Sequence, residues 1–158
     1  MIRVLFVCLG NICRSPMADG VFQHMVKEAG LEDDILVDSA GTGSWHVGEK
    51  AHPGTRKVLE KHGILYAGRA RQITPADLGS FDYVLAMDRS NLTAVQRMAD
   101  GRTAPVIAMF LSFANAAGTV DTVEVPDPYY DGRFDAVYEL VSKGSEALLT
   151  HIRKKHNL

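Results

Sequence analysis

The sequence predicts an α/β fold: a four-stranded parallel sheet, doubly wound, with helices on both faces. Two observations lead to this prediction. Short apolar runs without alternation are typical of strands that are buried on both faces of a parallel sheet. These runs alternate with segments whose apolar residues recur at helical spacing, as in sheets whose strands are joined by helices. No repeat, low-complexity segment or linker interrupts this order, so we expect a single domain over residues 1–158.

The first strand and the first helix have the clearest boundaries. Residues 2–8 form a largely apolar run, which Gly10 and Asn11 end. Ser15-Pro16 has the form of a helix cap followed by proline in the first turn, and Gly30 is typical of a helix stop.

The later elements repeat the alternation of strand and helix. Further strands are predicted at 35–37, 83–86 and 105–108, and helical segments at 55–62, 75–78, 87–98 and 134–152. Residues 39–53 and 111–130 are predicted to be mostly loop. Folds of this class bind ligands at the carboxyl ends of their strands, and Cys8 stands at such an end.

The overall composition limits the classes of function. Formal net charge is -2, which argues against a general nucleic-acid binder. No run approaches the ~20 apolar residues that span a bilayer, and the first apolar run lacks a cleavage site of small residues. We therefore expect a cytoplasmic protein with no nucleic-acid and no membrane partner.

Two cysteines, Cys8 and Cys13, are present in the chain. A secreted disulfide framework needs more cysteines that are better spread, whereas two thiols fit a reducing compartment. The Cys-x-x-Cys motif that is usual in thiol redox proteins is absent. The sequence contains no pattern of metal ligands, so neither a metal nor another cofactor is expected.

The central motif covers residues 8–15, between the first strand and the first helix. Backbone N–H groups in such a loop can form an anion nest, and Gly10 and Asn11 tolerate the left-handed backbone that nests need. The following helix directs its N-terminus at the same point, and Arg14 offers a planar fork for two phosphate oxygens. The candidate phosphate-binding residues are Leu9, Gly10, Asn11, Ile12, Cys13, Arg14 and Ser15. No Gly-Lys-Ser/Thr follows, which excludes a Walker-type nucleotide loop.

The same positive features would stabilise a thiolate at Cys8, and a thiolate in a phosphate cradle is a nucleophile aimed at phosphorus. Ser15 can add a hydroxyl hydrogen bond to this sulfur. The alternative is a structural cysteine near a surface arginine, because Cys-x5-Arg alone occurs by chance. The strand before the motif and the helix start after it favour the catalytic interpretation.

Residues 7–16 strongly resemble the signature of low-molecular-weight protein tyrosine phosphatases. The likeness continues, in family order, at residues 37–40, 70–73, 81–84, 87–91 and 125–130. The resemblance implies hydrolysis of phosphotyrosine in proteins, and of aryl phosphates, through a cysteinyl-phosphate intermediate. The implied partner is a phosphotyrosine-containing protein, with a tyrosine kinase as one candidate. The chain itself is expected to be a monomer or a weak homo-oligomer.

The resemblance also implies three catalytic roles. Cys8 attacks phosphorus, Arg14 binds the equatorial oxygens, and Asp127 protonates the leaving phenolate and then helps to activate water. An acid is required by the chemistry, because phenolate leaves badly unless it is protonated, and one positioned acid contributes about 10²–10⁴-fold. From the residues alone, a turn aspartate is equally compatible with Asp127-Pro128. The resemblance favours the acid.

Four residues are implied to support the loop: Asn11, Ser15, Ser39 and Asp88. One departure from the family pattern affects this support. Several relatives carry a histidine two residues before the Ala-Arg-Gln element, where this chain has Gly68. We therefore expect loop rigidity to depend more on Ser39. None of the six histidines is predicted to be catalytic.

The substrate pocket is expected to include Leu9 as apolar floor and Trp45 as an aromatic wall that stacks on the phosphotyrosine ring. A core position is the alternative for Trp45. Tyr129 and Tyr130 either line the pocket or become phosphorylated, or else they pack beside the last helix. Cys13 either forms a reversible disulfide with the nucleophile or simply packs under the loop.

Three other functions compete with that of a tyrosine phosphatase. Arsenate reductase on this fold requires further cysteines, and none follows Cys13. Protein arginine phosphatases tend to have threonine where Ile12 stands and to lack the paired tyrosines. A silent phosphoprotein-binding module would not need both Cys8 and Asp127. The sequence therefore favours a phosphatase acting on tyrosine.

Overall fold

The computed structural model describes residues 1–102 and 105–158 and contains a sheet of four parallel strands. The strands are β1 (Ile2–Cys8), β2 (Ile35–Gly41), β3 (Tyr83–Ala86) and β4 (Val106–Met109). Their order across the sheet is β2-β1-β3-β4, and every neighbouring pair is parallel. The predicted α/β fold, with its phosphate-binding loop after the first strand, is confirmed.

Helices connect these strands and follow the last of them, on both sides of the sheet. They are α1 (Arg14–Glu28), α2 (Pro53–Lys61), α3 (Pro75–Ser80), α4 (Arg89–Ala99), α5 (Ser112–Ala116), α6 (Pro128–Asp131) and α7 (Phe134–His156). The long loop predicted over 111–130 is wrong in part, because it contains α5 and most of α6. These helices have only five and four residues, so they are too short to show a helical period in the sequence.

The fourth helix begins two residues later than predicted, at Arg89 instead of Met87. Asp88 causes this difference, since its backbone is extended and its side chain caps the helix. The carboxylate accepts a hydrogen bond of 2.8 Å from the Asn91 N–H, while the Asn91 side chain accepts one from the Asp88 N–H. The start of α4 is therefore tied to a residue that also belongs to the predicted site.

Strand β1 is the centre of the fold and is buried on both faces, which explains its unalternating sequence. On one face, Phe6 packs edge-on against Phe22 and Phe110, with ring centroids 5.7 and 5.1 Å apart. On the other face, Leu5 and Val7 join a second apolar cluster under α3 and α4. Two cores thus fix β1, and the residue at its carboxyl end is held with it.

The carboxyl ends of β1 and β2 approach each other closely at Gly41, which pairs with Cys8 in the parallel register. A Cβ atom added at Gly41 would lie 2.8 Å from the Leu9 carbonyl oxygen, which is closer than real Cβ contacts. Glycine at this position therefore lets the loop after β1 lie against β2.

Gly144 provides a test of how tightly α7 packs on the core. An added Cβ would lie 2.7 Å from Phe110 and 2.8 Å from Leu111, and neither side chain has any exposed surface to move into. Alanine favours a helix over glycine by about 1 kcal/mol, but overpacking costs about 1–3 kcal/mol. We expect Gly144→Ala to lower the free energy of unfolding, measured by urea denaturation, by about 1 kcal/mol.

Gly79 in α3 is the matched control. No heavy atom lies within 4 Å of a Cβ added there. Gly79→Ala should leave stability unchanged or raise it by up to about 1 kcal/mol. A stabilised Gly144→Ala variant would contradict the tight packing of α7.

Candidate active site

The loop of residues 8–15 turns sharply between β1 and α1. Asn11 has a φ of 56°, in the left-handed region that few residue types adopt. Gly10, the other residue predicted to allow such geometry, does not have a positive φ. Its small size has another use, since an added Cβ would lie 3.1 Å from the His46 ring.

The Asn11 side chain stabilises this backbone conformation with hydrogen bonds from both its amide nitrogen and its carbonyl oxygen. Its amide nitrogen donates to the hydroxyl oxygens of Ser15 at 2.8 Å and of Ser39 at 3.0 Å. Its carbonyl oxygen accepts a bond of 2.9 Å from the Arg71 N–H. Asn11, Ser15 and Ser39, the predicted supports, thus form one buried hydrogen-bonded group.

Cys8 lies at the base of the loop and is almost fully buried. The Asn11 N–H donates to its sulfur at 3.3 Å, and the Ser15 hydroxyl oxygen lies 3.0 Å from the sulfur. Because Ser15 accepts from the Asn11 amide, its own proton has Sγ as the nearest acceptor; the Ala40 carbonyl is at 3.5 Å. The sulfur therefore accepts two hydrogen bonds, an arrangement that suits a thiolate.

Arg14 is held by acidic and carbonyl oxygens from two other segments. One guanidinium nitrogen lies 2.7 Å from an Asp88 carboxylate oxygen and donates to the Val125 carbonyl at 3.0 Å. Burial by itself disfavours the charge, but the negative groups at Cys8 and Asp88 outweigh it and raise the pKa of Arg14 above its usual value. The side chain is therefore a fixed cation beside the sulfur.

Asp127 stands on the opposite side of the guanidinium. One of its oxygens accepts from the Tyr129 N–H at 3.0 Å, which caps α6, and the other lies 3.7 Å from Arg14. Its side chain is about a third exposed, at 32%. The carboxyl group thus faces both the cation and the open side of the site.

These groups meet in a cavity of about 280 Å³. The cavity is lined by Cys8, Leu9, Gly10, Ile12, Cys13, Arg14, Trp45, His46, Asp127, Tyr129 and Tyr130. Trp45 is 70% exposed at the rim, so the alternative of a core tryptophan is wrong. Ser39 and Asp88 lie outside this cavity and contact Asn11 and Arg14, respectively.

Comparisons with known proteins agree with this geometry. The family model for low molecular weight phosphotyrosine protein phosphatases matches residues 3–158. The chain belongs to this family. Members of this phosphatase family hydrolyse phosphotyrosine, so the enzyme class predicted from the sequence is confirmed.

Three relatives illustrate the range of similarity within the phosphatase family. The low molecular weight protein-tyrosine-phosphatase YfkJ of Bacillus subtilis is 45% identical over the full length of both chains. Its crystal structure matches with a TM-score of 0.93 over 98% of this chain and 96% of that chain. PtpA of Staphylococcus aureus is 40% identical over 100% of this chain and 98% of its own. A Drosophila arginine phosphatase is 35% identical, with a TM-score of 0.87 over 97% of this chain and 98% of that chain.

Three residues of this phosphatase site were not predicted from the sequence. His46 lines the cavity, and its Nδ1 lies 2.8 Å from a Glu49 carboxylate oxygen. His52 caps α2 and stacks on the Phe134 ring at 4.9 Å. Tyr66 contacts Ser39 behind the loop. For His46, proximity to Trp45 in the sequence was the one indication of a place in the site. No sequence pattern indicated His52 or Tyr66 directly.

Cys13 differs from Cys8 in its surroundings, although both thiols are free and buried. Burial, assisted by the negative charges at Cys8 and Asp127, raises the pKa of the Cys13 thiol to about 12. Within residues 1–102 and 105–158, no group of three or more His, Cys, Asp or Glu side chains is placed to hold a metal ion. The redox role of Cys13 stays a prediction.

The raised pKa of Cys13 predicts selective labelling. A thiol with a pKa of about 12 has a thiolate fraction of about 10⁻⁴ at pH 8, and this fraction grows only as the pH rises towards 12. We expect iodoacetamide at pH 8 to modify Cys8 in the native protein and to leave Cys13 free, as measured by peptide mass spectrometry. In denaturant both should react. Native labelling of Cys13 at the rate of Cys8 would show that its thiol is not protected.

Proposed function

We propose that this phosphatase hydrolyses phosphotyrosine in proteins with Cys8 as nucleophile, Arg14 as phosphate clamp and Asp127 as general acid and base. The observation that carries the proposal is that all three side chains line one cavity, with Arg14 3.7 Å from Asp127. Aryl phosphates are substrates of the same kind, since the reacting atoms are identical.

In the first step, the Cys8 thiolate attacks phosphorus as the bond from phosphorus to the phenolic oxygen breaks. Asp127 in its acid form gives its proton to that oxygen, so that the leaving group departs as neutral tyrosine. The Arg14 fork and the loop N–H groups carry the negative charge of the equatorial oxygens. The Ser15 hydroxyl, directed at the sulfur, supports the thiolate before attack.

In the second step, water attacks the cysteinyl phosphate. Asp127, now a carboxylate, takes a proton from this water while the bond from sulfur to phosphorus breaks. The thiolate returns to the two hydrogen bonds it had at the start, and inorganic phosphate leaves. No step requires a metal ion or another cofactor.

The walls of the cavity favour an aromatic ring above the phosphate group. Trp45, Tyr129 and Tyr130 are largely exposed at its rim, and Leu9, expected as its floor, is 44% exposed instead of buried. Ile12 is buried and also lines the cavity. Aromatic side chains around the opening can stack on a phenyl ring. The arginine phosphatase among the relatives makes phosphoarginine the main competitor as substrate. A guanidino group is polar and planar, and it gains less from these apolar walls.

The substrate is proposed to be a phosphotyrosine-containing protein, for which a tyrosine kinase is one candidate, and no nucleic acid or membrane takes part. The exposed aromatic rim supports a protein surface as the partner. None of the helices in the described residues is both long and apolar enough to cross a bilayer. Free thiols at Cys8 and Cys13 support a cytoplasmic, reducing location. Residues 1–158 are proposed to act as a single domain, as a monomer or weak homo-oligomer.

The mechanism is tested with p-nitrophenyl phosphate and a phosphotyrosine peptide in the presence of EDTA. We expect wild-type turnover, no turnover by Cys8→Ser, and a kcat lowered by about 10²–10⁴-fold in Asp127→Ala, because the phenolate loses its proton donor. Asp121→Asn, at an exposed aspartate outside the cavity, is the control and should keep wild-type kcat.

Phosphotyrosine binding without wild-type turnover under reducing conditions would mean that the protein is a binding module. Turnover that persists in Cys8→Ser would exclude the cysteinyl-phosphate intermediate.

Substrate choice is tested by comparing peptides that differ only in phosphotyrosine and phosphoarginine. We expect kcat/KM to be at least about ten-fold higher for phosphotyrosine, because the apolar walls contact a phenyl ring more favourably. Ile12→Thr should narrow this ratio, since it places a hydroxyl in the cavity wall. A preference for phosphoarginine in the wild type would make the protein an arginine phosphatase with the same nucleophile.

A further inference from the structure

A chain of hydrogen bonds leads from the interior of α1 to the phosphate-binding loop. The Tyr66 hydroxyl donates to the Asp19 carboxylate at 2.6 Å and lies 3.3 Å from the Ser39 hydroxyl. Ser39 in turn accepts from the Asn11 amide at 3.0 Å. Asp19 is 3% exposed, and its other oxygen accepts from the Gln23 amide at 2.5 Å.

The directions of these bonds follow from the number of protons available. Tyr66 has one hydroxyl proton, and the Asp19 carboxylate accepts it. The Ser39 proton is therefore directed at the Tyr66 oxygen and the Asp19 carboxylate, which leaves the Ser39 oxygen free to accept from Asn11. An ionised Asp19 thus orders the chain as far as Asn11, whose φ of 56° shapes the loop.

The hydroxyl of Tyr66 occupies the space beside Gly68. A Cβ added at Gly68 would overlap the Tyr66 hydroxyl oxygen and lie 2.6 Å from its ring carbon. The tyrosine therefore reaches Ser39 from a direction that a side chain at 68 would block. The ring also packs near Gly20 of α1, where an added Cβ would lie 3.4 Å away.

We propose that Tyr66 and Asp19 are positioning residues, which hold the phosphate-binding loop in its reactive form by orienting Ser39 and, through it, Asn11. This inference rests on the proposed function of Cys8 in the same loop. Neither residue lines the cavity, so neither touches the substrate. Their effect reaches the reaction through the loop N–H groups and the Ser15 hydroxyl, which Asn11 fixes.

The chain has a built-in dependence on pH. Burial raises the pKa of Asp19 to about 6, while the hydrogen bonds from Tyr66, Gln23 and Ser39 oppose this rise and the charge of Asp38 adds to it. Arg71 pairs with Asp38 at 3.1 Å and with Asp77 at 3.1 Å, so a positive charge also lies beside this group. Above pH 6 the carboxylate accepts the Tyr66 proton. Below pH 6 the proton on Asp19 replaces this charged acceptor with a neutral carboxyl group. When that proton donates to the Tyr66 oxygen, Tyr66 turns its own proton to Ser39, and the Ser39 proton loses its acceptor.

The experiment compares Tyr66→Phe with wild type at pH 8 and pH 5, with kcat expressed per titrated Cys8. Phenylalanine keeps the ring and removes only the hydroxyl. At pH 8 we expect kcat to fall about ten-fold with KM changed less than two-fold. At pH 5 the loss of kcat should be clearly smaller, because the wild-type chain has also lost the charged acceptor that orders it. Effects of pH on Cys8, Asp127 and the substrate cancel in this ratio.

Asp19→Asn supplies the second arm, since asparagine cannot be protonated in this range. In that background the loss caused by Tyr66→Phe should be the same at both pH values. Tyr83→Phe is the matched control: it removes a hydroxyl that bonds His156 at 3.0 Å, far from the loop in the fold. Its kcat should equal that of wild type.

Two results would overturn the inference while leaving the phosphatase intact. One is a Tyr66→Phe enzyme with wild-type kcat at pH 8, and the other is a loss of kcat that is equal at both pH values in the wild-type background. Absence of wild-type turnover would instead refute the proposed function, so the two failures are distinguishable.

Discussion

The active site depends above all on the left-handed backbone at Asn11 and on the side-chain bonds that hold it there. The Asn11 N–H donates to the Cys8 sulfur at 3.3 Å, so a change of backbone conformation at this residue would remove that donor. The left-handed backbone of a residue other than glycine costs free energy, and other interactions must offset this cost. Here the cost is offset by the hydrogen bonds of the Asn11 side chain with Ser15, Ser39 and the Arg71 backbone.

The sheet makes these bonds possible by bringing distant segments to one edge. Ser39 lies on β2, Cys8 ends β1, and Asp88 follows β3. Since the carboxyl ends of parallel strands lie at the same edge of the sheet, the residues that follow them are close together. The two buried clusters on either side of β1 hold the strand that ends at the nucleophile. This packing supports the reaction, because a small displacement of a catalytic group lowers its rate.

The fold and the loop could be predicted because each rests on a local pattern: unalternating strands, a proline in the first turn of a helix, and a cysteine and an arginine at fixed spacing. The prediction of Ser15 as the helix cap is wrong, since α1 begins at Arg14 after Cys13 and the Ser15 hydroxyl contacts the Cys8 sulfur instead. Tyr66 and His52 could not, since they act through contacts between segments that the sequence does not relate. The short helices α5 and α6 also escaped prediction, because one turn has no period to detect. Gly68 did indicate that support for Asn11 must come from elsewhere, but only the packed structure identifies Tyr66 as its source.

Asp88 uses its two oxygens for different purposes, one to begin α4 and the other to hold Arg14. The same atom group therefore contributes to folding and to phosphate binding. In most proteins, mutations at one position change stability and mutations at another change activity, so the two properties can vary separately. At Asp88 a single substitution affects both properties. A mutation that changes how Arg14 is held also changes the start of α4.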